Sequence, residues 1–556
     1  MSTSTAVVEQ RLAATREFAH TMIVVDDEAW KIAPPDRVPR AGLRTPRRGS
    51  AIVTESTQQE MFAIRHALDT EVLVNAAMDL GLICSVVRPP KGKSIKAKVG
   101  SAATRADIVC LDWELHGDGG ESATQIIAEI LRSDEKRSGR LRLIAIYTGD
   151  MNNNQILDKV FNALPKSYRD RHDLTKSNVC IESNHGLRIV CLFKAHGVQL
   201  TDSRQERQVK ERDLPDRLQR EFALLAGGLL SNVALATIAS IRDSTHHVLA
   251  KMTKAVDAPY FHHRSILPMV SDAEEYSVDV VLSDLKSEID KHGVAQRYAG
   301  PEAIAARIRE MAQGATTFRL HYNSGGKAKD FDVSVDDTIR LITDGNIATH
   351  AKIVGGTKPS IKAFERGMCS LFTTDAKAAQ VVMRQFAALT GVRAHPGSHL
   401  YRSGKQLPQL GLGTVLRDEK DRYLLCLQAS CDAVRVRRKR AGFLFVPLAR
   451  DDEIAEHFVP VLMHDRKVEF IGLSTPGTAY AELFSIPFDP NETSQTVVAR
   501  KLKRRRGLFF VAANNKAYRW IADLKQRRAL RTAQRLGQSM GRMGFDEFEP
   551  FRPRDD

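Results

Sequence analysis

The chain has 556 residues, 43% of them hydrophobic, and its formal net charge is +15. This length predicts about two to four domains, and the apolar content excludes an intrinsically disordered chain. The seven cysteines are scattered without a CxxC pair, which excludes a disulfide scaffold and favours small core residues in a reducing compartment. The N-terminus lacks a secretory signal pattern, and no apolar span of about 18 residues is present, so we expect a cytoplasmic protein without membrane contact.

The first apolar run predicts a buried parallel strand that ends on two adjacent carboxylates. Residues 22–25 are Met-Ile-Val-Val, and Asp26 and Asp27 follow directly. Open α/β folds bind ligands at the carboxyl ends of their strands, where this pair would lie. Taken alone, the pair is more typical of a helix N-cap, because Asp is a favoured capping residue. The later apolar runs decide between these interpretations.

Four segments complete the predicted N-terminal region. Residues 30–57 are rich in Pro and Arg and predict a loop or insertion. Helical spacing marks 58–80, and the apolar run 82–87 predicts the second strand. A turn-forming centre within 179–193 predicts a hairpin that adds a neighbour to the last strand of the sheet.

Further along the chain, three more apolar runs end on side chains that complement the acidic pair. In chain order these side chains are Asp112, Thr148 and Lys194. The sequence Gly-Asp-Gly-Gly at 117–120 follows the first of them and lets the backbone approach a ligand closely. If the strands are parallel, three acids, a hydroxyl and an amine converge at one edge of the sheet.

The order of these residues resembles the receiver domain of two-component response regulators. The resemblance implies a doubly wound, flavodoxin-like α/β domain over residues 1–200 that accepts a phosphoryl group from a histidine kinase on Asp112. In the family, a hydroxyl and a lysine contact that group, here Thr148 and Lys194. Because Mg²⁺ prefers oxygen ligands, the predicted metal site consists of three carboxylates and one backbone carbonyl. These metal ligands are Asp26, Asp27, Asp112 and, through its carbonyl, Glu114.

Three features depart from the family pattern. Ala195 stands where the family usually has proline, and Cys191 stands where an aromatic switch residue is common. Asp112 also lies 85 residues beyond Asp27, which marks 30–57 as an insertion. Because all five chemical positions are present, we favour a phosphorylatable domain over a purely structural adaptor, and we expect the switch output to differ.

The middle of the chain predicts a helical linker or dimerisation region over residues 201–315. Its boundary is the charge-rich stretch 201–216, which is closed by Pro215. The strongest helical spacing lies in 218–254. This pattern suits a homodimer element or an ordinary helical core equally well.

Residues 316–556 predict an α/β to β-rich region that forms a small barrel or sandwich and ends in a basic helix at 516–543. The predicted strands lie at 423–427, 443–446, 468–473, 483–486 and 508–511. Residues 501–556 carry 15 Lys and Arg against 6 Asp and Glu, and a second basic cluster lies at 435–440. Such patches bind nucleic acid or remain solvated, and the scarcity of aromatic residues near them favours solvation.

The fold class predicted for the whole chain is multidomain α/β. Its layout is similar to the buffer-type response regulator of the antiphage systems called Detocs, in which such a protein draws phosphate away from the effector branch. This similarity predicts a phosphate sink or switch in an antiphage phosphorelay, with self-catalysed aspartyl phosphorylation and dephosphorylation and no separate catalytic domain recognised. The alternative is a receiver-gated nucleic-acid-binding or nuclease effector that uses the basic C-terminal domain, for which the sequence offers scattered candidate residues such as Asp432 and Arg435.

Overall fold

The computed structural model divides the chain into two compact units. The first comprises Met1–Thr316 and Val335–Gly345, and the second comprises Thr317–Ser334 and Asn346–Asp556. The predicted insertion at 30–57 lies outside the described residues. The residues that the structure describes are 3–29, 68–89, 95–137, 139–150, 155–183, 186–195, 204–267, 270–324, 327–345, 353, 365–398, 401, 407–433, 436, 439–451, 455–462, 468–477, 482–491 and 495–540.

The first unit is built on a mixed sheet with a parallel centre. Its strands are β1 (Thr21–Val25), β2 (Ile83–Val87), β3 (Ile108–Leu111), β4 (Arg142–Thr148), β5 (Thr175–Lys176), β6 (Cys180–Ser183), β7 (Leu187–Lys194) and β8 (Gln208–Val209). Their order is β2-β1-β3-β4-β7-β6-β5, with β8 beside β7. The five central strands pair in parallel in the order 2-1-3-4-7, which is the order of a doubly wound, flavodoxin-like fold. The fold predicted for the N-terminal region is therefore confirmed.

Helices cover both faces of this sheet and continue beyond it. They are α1 (Thr3–Phe18), α2 (Thr70–Asp79), α3 (Ile95–Ala103), α4 (Glu121–Lys136), α5 (Ile156–Ala163), α6 (Lys166–Arg171), α7 (Leu214–Leu225), α8 (Leu229–Lys251), α9 (Asp257–Ile266), α10 (Ser271–Lys291), α11 (Val294–Ala299), α12 (Pro301–Ala312) and α13 (Val335–Thr343). The helical middle region predicted from the sequence is thus present. The helix α1 was not predicted, because its apolar residues do not keep a clear period over the polar N-terminal stretch.

The sheet separates two hydrophobic cores because successive strand side chains point to opposite faces. On one face, Val24 and Cys110 pack in a cluster with Phe222 of α7. On the other face, Val25 packs in a cluster with Ile127 of α4. Both faces are covered, so the carboxyl ends of the parallel strands remain as the edge where polar groups can gather.

The strand β7 has neighbours on its outer side that a simple five-stranded sheet lacks. Cys180 of β6 pairs antiparallel with Val190, which confirms the predicted hairpin. At the other end of β7, Lys194 pairs in parallel with Val209 of β8. The Tyr147 hydroxyl donates a hydrogen bond to the Val209 carbonyl at 2.9 Å and ties β8 to the core. The strand β8 was not predicted, since it is only two residues long in a charge-rich segment.

The helical spacing predicted over 218–254 is confirmed by α7 and α8. Leu218 and Phe222 are fully buried against the sheet, and Leu235 of α8 joins the same core. Packing within the unit therefore accounts for part of the apolar pattern, whereas Leu249 stays 65% exposed. Dimerisation through this segment stays a prediction.

None of the described helices is by itself long and apolar enough to cross a membrane. The pair α7 and α8, bent by 118°, meets that requirement only when both helices are counted together.

The second unit is dominated by antiparallel strands. They are β9 (Thr317–Ser324), β10 (Lys327–Ser334), β11 (Val392–Ala394), β12 (Thr414–Arg417), β13 (Tyr423–Cys426), β14 (Ala441–Arg450), β15 (His457–Leu462), β16 (Val468–Ser474), β17 (Phe484–Phe488), β18 (Arg500–Lys501), β19 (Leu508–Val511) and β20 (Ala517–Leu524). Its helices are α14 (Ala376–Gly391), α15 (Ser430–Ala433) and α16 (Gln526–Met540). The strands β9 and β10 form a separate hairpin, and the others form one sheet in the order β15-β16-β14-β13-β12-β20-β19-β18, with β11 beside β20 and β17 beside β14. The predicted β-rich region is confirmed.

The prediction of a basic helix at 516–543 is wrong for the first third of that range. Residues Ala517–Leu524 form β20, and the helix α16 begins at Gln526. The spacing of Trp520 and Leu524 suits a helix, but β20 pairs with β12 on one side and β19 on the other. These ladders satisfy the backbone on both edges, so tertiary pairing overrides the local helical pattern. Residues 541–543 lie outside the described part of the chain.

A buried histidine makes the stability of the second unit depend on pH. Burial lowers the pKa of His457 to about 4; Glu456 opposes this shift, and Arg528 and Arg535 add to it. An unfolded histidine titrates near 6.5, so the neutral ring favours folding above that pH. This contribution is lost as the pH falls from about 6.5 through about 4, because the unfolded chain then binds the proton more readily.

Replacement of His457 with glutamine, which does not ionise, is expected to weaken this pH dependence. Between pH 7 and about pH 4.5 the wild type should lose about 2 kcal/mol more of its free energy of unfolding than the variant. Denaturant unfolding of the full chain at the two pH values, followed by fluorescence, measures the difference. The exposed His246→Gln variant is the control and should behave as the wild type. Equal pH dependence in all three proteins would contradict the expectation.

Candidate functional site

Three carboxylates from two neighbouring strands meet at the carboxyl edge of the first sheet. Asp26 and Asp27 follow β1, and Asp112 follows β3, where Val25 pairs in parallel with Leu111. One carboxylate oxygen from each of the three acids lies within 4.8 Å of the others. The Asp112 amide donates a hydrogen bond to the Val25 carbonyl at 2.8 Å. Strand pairing therefore continues up to the site and sets the spacing of its acids.

A buried lysine bridges two of these acids. Lys194 ends β7, and its Nζ donates to Asp26 Oδ2 at 2.9 Å and to Asp112 Oδ2 at 3.1 Å. The side chain is only 1% exposed, and Nζ lies 5.7 Å from the centre of the Tyr147 ring. Because β4 separates β7 from β3 in the sheet, the long aliphatic stem is what carries the ammonium across to the acids. The formal charge of three carboxylates and one ammonium is negative, which suits a divalent cation.

The electrostatics of the pair follow from its burial. Burial raises the pKa of Asp112 to about 6, although the Lys194 ammonium opposes this shift. Burial also acts to lower the pKa of Lys194, but Asp112 and Asp26 outweigh it and raise that pKa above its ordinary value. At neutral pH, Lys194 therefore stays charged and Asp112 is mainly a carboxylate.

Backbone amides orient the acids, and one oxygen is left without a donor. The Glu28 amide donates to Asp26 Oδ1 at 2.7 Å, and the Glu114 amide donates to Asp112 Oδ1 at 3.4 Å. Asp27 Oδ1 is buried and accepts no hydrogen bond from the described residues. A buried carboxylate oxygen without a donor is costly unless a cation binds it. This oxygen and its two acidic neighbours fit Mg²⁺, which prefers oxygen ligands.

The two remaining predicted residues follow the ends of strands of the same sheet: Thr148 ends β4, which pairs with β3, and Glu114 lies two residues after Asp112. Thr148 ends β4, is fully buried, and its hydroxyl accepts the Asp150 amide at 3.0 Å. The Glu114 carbonyl accepts the Gly117 amide at 3.1 Å, and its carboxylate accepts the Gly119 amide at 3.2 Å. A carbonyl oxygen has a second lone pair, so the Glu114 carbonyl keeps capacity for a ligand. The metal-binding role of Glu114 stays a prediction.

The comparisons with known proteins agree with this geometry. Residues 18–199 match the family model of the response receiver domain. This segment is a receiver domain. The match spans β1 to β7 and therefore all the acids, the threonine and the lysine predicted for the site. No curated protein and no solved structure matches the chain.

The two unusual residues of the receiver domain have structural consequences. The Ala195 amide donates a hydrogen bond to the Val209 carbonyl at 3.1 Å, which a proline at this position could not do because it lacks the N–H. The departure from proline therefore permits β8 to pair. Cys191 is buried in the second core, and burial raises the pKa of its thiol to about 12. The thiol at this position is an inert core group.

The sequence predicts that the glycine-rich loop after Asp112 approaches a ligand closely, but it assigns no role to His116 within that loop. The His116 amide donates to Asp27 Oδ2 at 3.1 Å, although the two residues are 89 positions apart. In the same loop, the Trp113 ring occupies the space where a side chain on Gly120 would lie. Gly120 also has a φ of +89°, a backbone conformation that residues with a side chain rarely adopt. The cluster of glycines was the available signal, but only the fold shows which acid the loop contacts.

Proposed function

We propose that the chain is a phosphorylation-controlled signalling protein in which Asp112 accepts a phosphoryl group from a histidine kinase. The main support is Lys194, whose ammonium lies between Asp112 and Asp26 at hydrogen-bond distance from both. In the reaction, an Asp112 oxygen forms a bond to phosphorus while the bond from phosphorus to the kinase histidine nitrogen breaks. The leaving nitrogen keeps the electron pair. A pKa of about 6 leaves Asp112 mainly ionised, and therefore nucleophilic, at neutral pH.

Each residue of the site has a distinct role in this proposal. Lys194 pairs with the oxygens of the transferring group, and the Thr148 hydroxyl donates a hydrogen bond to one of them. Asp26 and Asp27, together with Asp112 and the Glu114 carbonyl, would hold Mg²⁺. When bound, this ion neutralises negative charge on the phosphoryl oxygens. Water attack on the same phosphorus would break its bond to the Asp112 oxygen, release inorganic phosphate and return Asp112 to a carboxylate, which makes the phosphorylation self-limiting.

We further propose that this phosphorylation works as a switch or as a phosphate sink in an antiphage phosphorelay in the cytoplasm. The support is the layout, in which a receiver domain precedes a helical region and a β-rich region, as in the Detocs buffer protein. A receiver domain in general implies a histidine kinase partner. A homodimer through residues 218–254 would place two receiver domains in one assembly, and exposed apolar side chains such as Leu230 and Leu249 support it.

Phosphoryl incorporation from a small acyl phosphate tests the proposal without the kinase. The full chain is incubated with acetyl phosphate and Mg²⁺, and its intact mass is measured. We expect one phosphoryl group per chain, because the proposal assigns Asp112 as the single acceptor and the other two acids as metal ligands. A chelator should prevent the incorporation, since the acidic cluster then lacks the cation that neutralises the donor. Incorporation that is unchanged by the chelator would contradict the magnesium site.

An exposed basic hairpin in the second unit supports a second candidate, a receiver-gated nucleic-acid-binding effector. Four basic side chains are exposed on or between β18 and β19, namely Lys501, Lys503, Arg504 and Arg506. Exposed cations in one short segment attract phosphate backbones. Of the earlier candidate residues, Asp432 lies in α15 and accepts a hydrogen bond from the Gln428 side chain at 3.4 Å. Arg435 lies outside the described residues.

Replacement of Lys503 and Arg504 with alanine is expected to weaken binding to generic DNA and RNA about equally. If both contact phosphates, the slope of log affinity against log salt concentration should fall by up to about 1.8. Fluorescence anisotropy over a range of salt concentrations measures this slope. The control replaces Lys327 and Lys377, two exposed lysines elsewhere in the unit. Absence of binding by the wild type at low salt, or the same slope in both variants, would reject this candidate.

A further inference from the structure

The histidine in the acceptor loop has a backbone conformation that residues with side chains rarely adopt. His116 has φ 63° and ψ 20°, in the left-handed region. For a residue other than glycine this conformation is disfavoured, because Cβ lies too close to the following carbonyl oxygen. Such a conformation persists only where surrounding contacts impose it. Here those contacts are with one oxygen of Asp27.

Two groups of His116 approach the same carboxylate oxygen. Its amide donates to Asp27 Oδ2 at 3.1 Å, and its ring Nδ1 lies 3.2 Å from that atom. The other oxygen, Asp27 Oδ1, is buried and has no hydrogen-bond partner among the described residues. Asp26 and Asp112 differ, because Lys194 and backbone amides orient them. His116 therefore contacts Oδ2 of Asp27, whereas Oδ1 has no hydrogen-bond partner among the described residues.

The loop that carries His116 is anchored at its far end. The Asp118 carboxylate accepts the Gly120 amide at 3.1 Å and the Ser122 amide at 2.8 Å. Gly120 itself packs against the Trp113 ring, which is fully buried. The buried Trp113 at the start of the loop thus packs against the anchored Gly120 at its end, and a residue on a loop held in this way can fix the orientation of a ligand side chain.

We propose that His116 is a positioning residue for the metal site, which holds Asp27 so that its free oxygen is presented to the divalent cation. This inference rests on the proposed function, since the cation is the one that phosphorylation of Asp112 requires. Hydrogen-bonded partners of metal ligands typically contribute about 10- to 100-fold to metal affinity. The lower end of this range applies here, because the backbone amide contact remains when the ring is removed.

Two substitutions separate the ring contact from the backbone conformation. His116→Gly adopts the left-handed conformation freely but removes the ring. His116→Asn also tolerates that conformation, and its amide nitrogen can take the position of ring Nδ1. Isothermal titration calorimetry of the full chain with MgCl₂ alone is expected to show affinity about 10-fold weaker for the glycine variant and within about 3-fold of wild type for the asparagine variant.

Each result of the titration either supports or overturns the positioning role of His116. The inference is overturned if the glycine variant binds Mg²⁺ as tightly as the wild type, or more tightly, because His116 then does not support Asp27. It is also overturned if both variants weaken binding equally, since the ring contact is then not the cause. His116→Asp, which also tolerates the left-handed conformation but has no N–H to donate to Asp27, repeats the measurement should the glycine variant fail to fold by circular dichroism.

The proposed function fails in a different way. If the wild type binds Mg²⁺ and the difference between the glycine and asparagine variants holds, but Asp112 gains no phosphoryl group from acetyl phosphate, His116 positions Asp27 in a metal site that has another use. If Asp112 is phosphorylated and the variants bind Mg²⁺ alike, the signalling function stands and the role of His116 falls.

Discussion

Replacement of Asp112 with asparagine is expected to abolish phosphoryl incorporation from acetyl phosphate. The side-chain amide has nearly the same shape as the carboxylate but is not a nucleophile toward phosphorus. Burial raises the pKa of Asp112 to about 6, so the ionised side chain is the form that folding disfavours. A neutral amide therefore should not unfold the receiver domain. The measurement is the intact mass of the protein after incubation with the donor and Mg²⁺.

The matched control for this variant is Asp79→Asn. Asp79 is an exposed carboxylate at the end of α2 and lies outside the acidic cluster. This control should incorporate one phosphoryl group, as the wild type does. Thermal unfolding of both variants checks that the fold is retained. If Asp112→Asn incorporates the group at the wild-type rate, another side chain is the acceptor and the proposed function is wrong.

Replacement of Lys194 with methionine is expected to have the largest effect on stability in the receiver domain. The ammonium is 1% exposed and contacts two carboxylates, so its removal leaves buried negative charge without a partner. Breaking a buried ion pair in this way costs about 3–5 kcal/mol. The free energy of unfolding, measured with denaturant at neutral pH, should fall by about that amount. Phosphoryl incorporation should fall as well, because the lysine also pairs with the transferring group.

A double variant tests whether the loss arises from unpaired charge. Lys194→Met combined with Asp112→Asn removes one of the two carboxylates that the single change leaves unpaired. We expect the double variant to be more stable than Lys194→Met alone, because the effects of substitutions at two contacting residues on the free energy of unfolding are not additive. The control is Lys136→Met, an exposed lysine at the end of α4, which should change stability by less than about 0.5 kcal/mol. A double variant no more stable than the single one would show that lost packing, and not charge, causes the effect.

The candidate site could be predicted from the sequence because its signals are local. Each apolar run that ends on a polar residue indicates a buried strand and the chemistry at its end. Parallel strands deliver their ends to one edge, so the sequence alone predicts that Asp26, Asp112 and Lys194 meet there. Their hydrogen bonds at 2.9 and 3.1 Å agree with that expectation. Resemblance to a receiver domain supplied the roles that the pattern alone leaves open.

The elements that were not predicted depend on partners far away in the sequence. The strand β20 has the spacing of a helix, yet β12 and β19 pair with it on both sides. The strand β8 is too short to show a pattern and exists because Ala195 and Tyr147 bond to the Val209 carbonyl. In both cases the hydrogen bonds that form the strand join segments far apart in the sequence. The local propensity of one segment therefore does not predict the strand.

The sequence by itself determined the acidic pair, the acceptor, the hydroxyl and the lysine, and the order in which strands carry them. Only the tertiary structure decided which oxygen of Asp27 is occupied and which is free, because His116 reaches it from a loop 89 residues away. The physical reason is that side-chain periodicity is a property of one segment, whereas the direction of a carboxylate is set by donors from whichever segments the fold brings beside it.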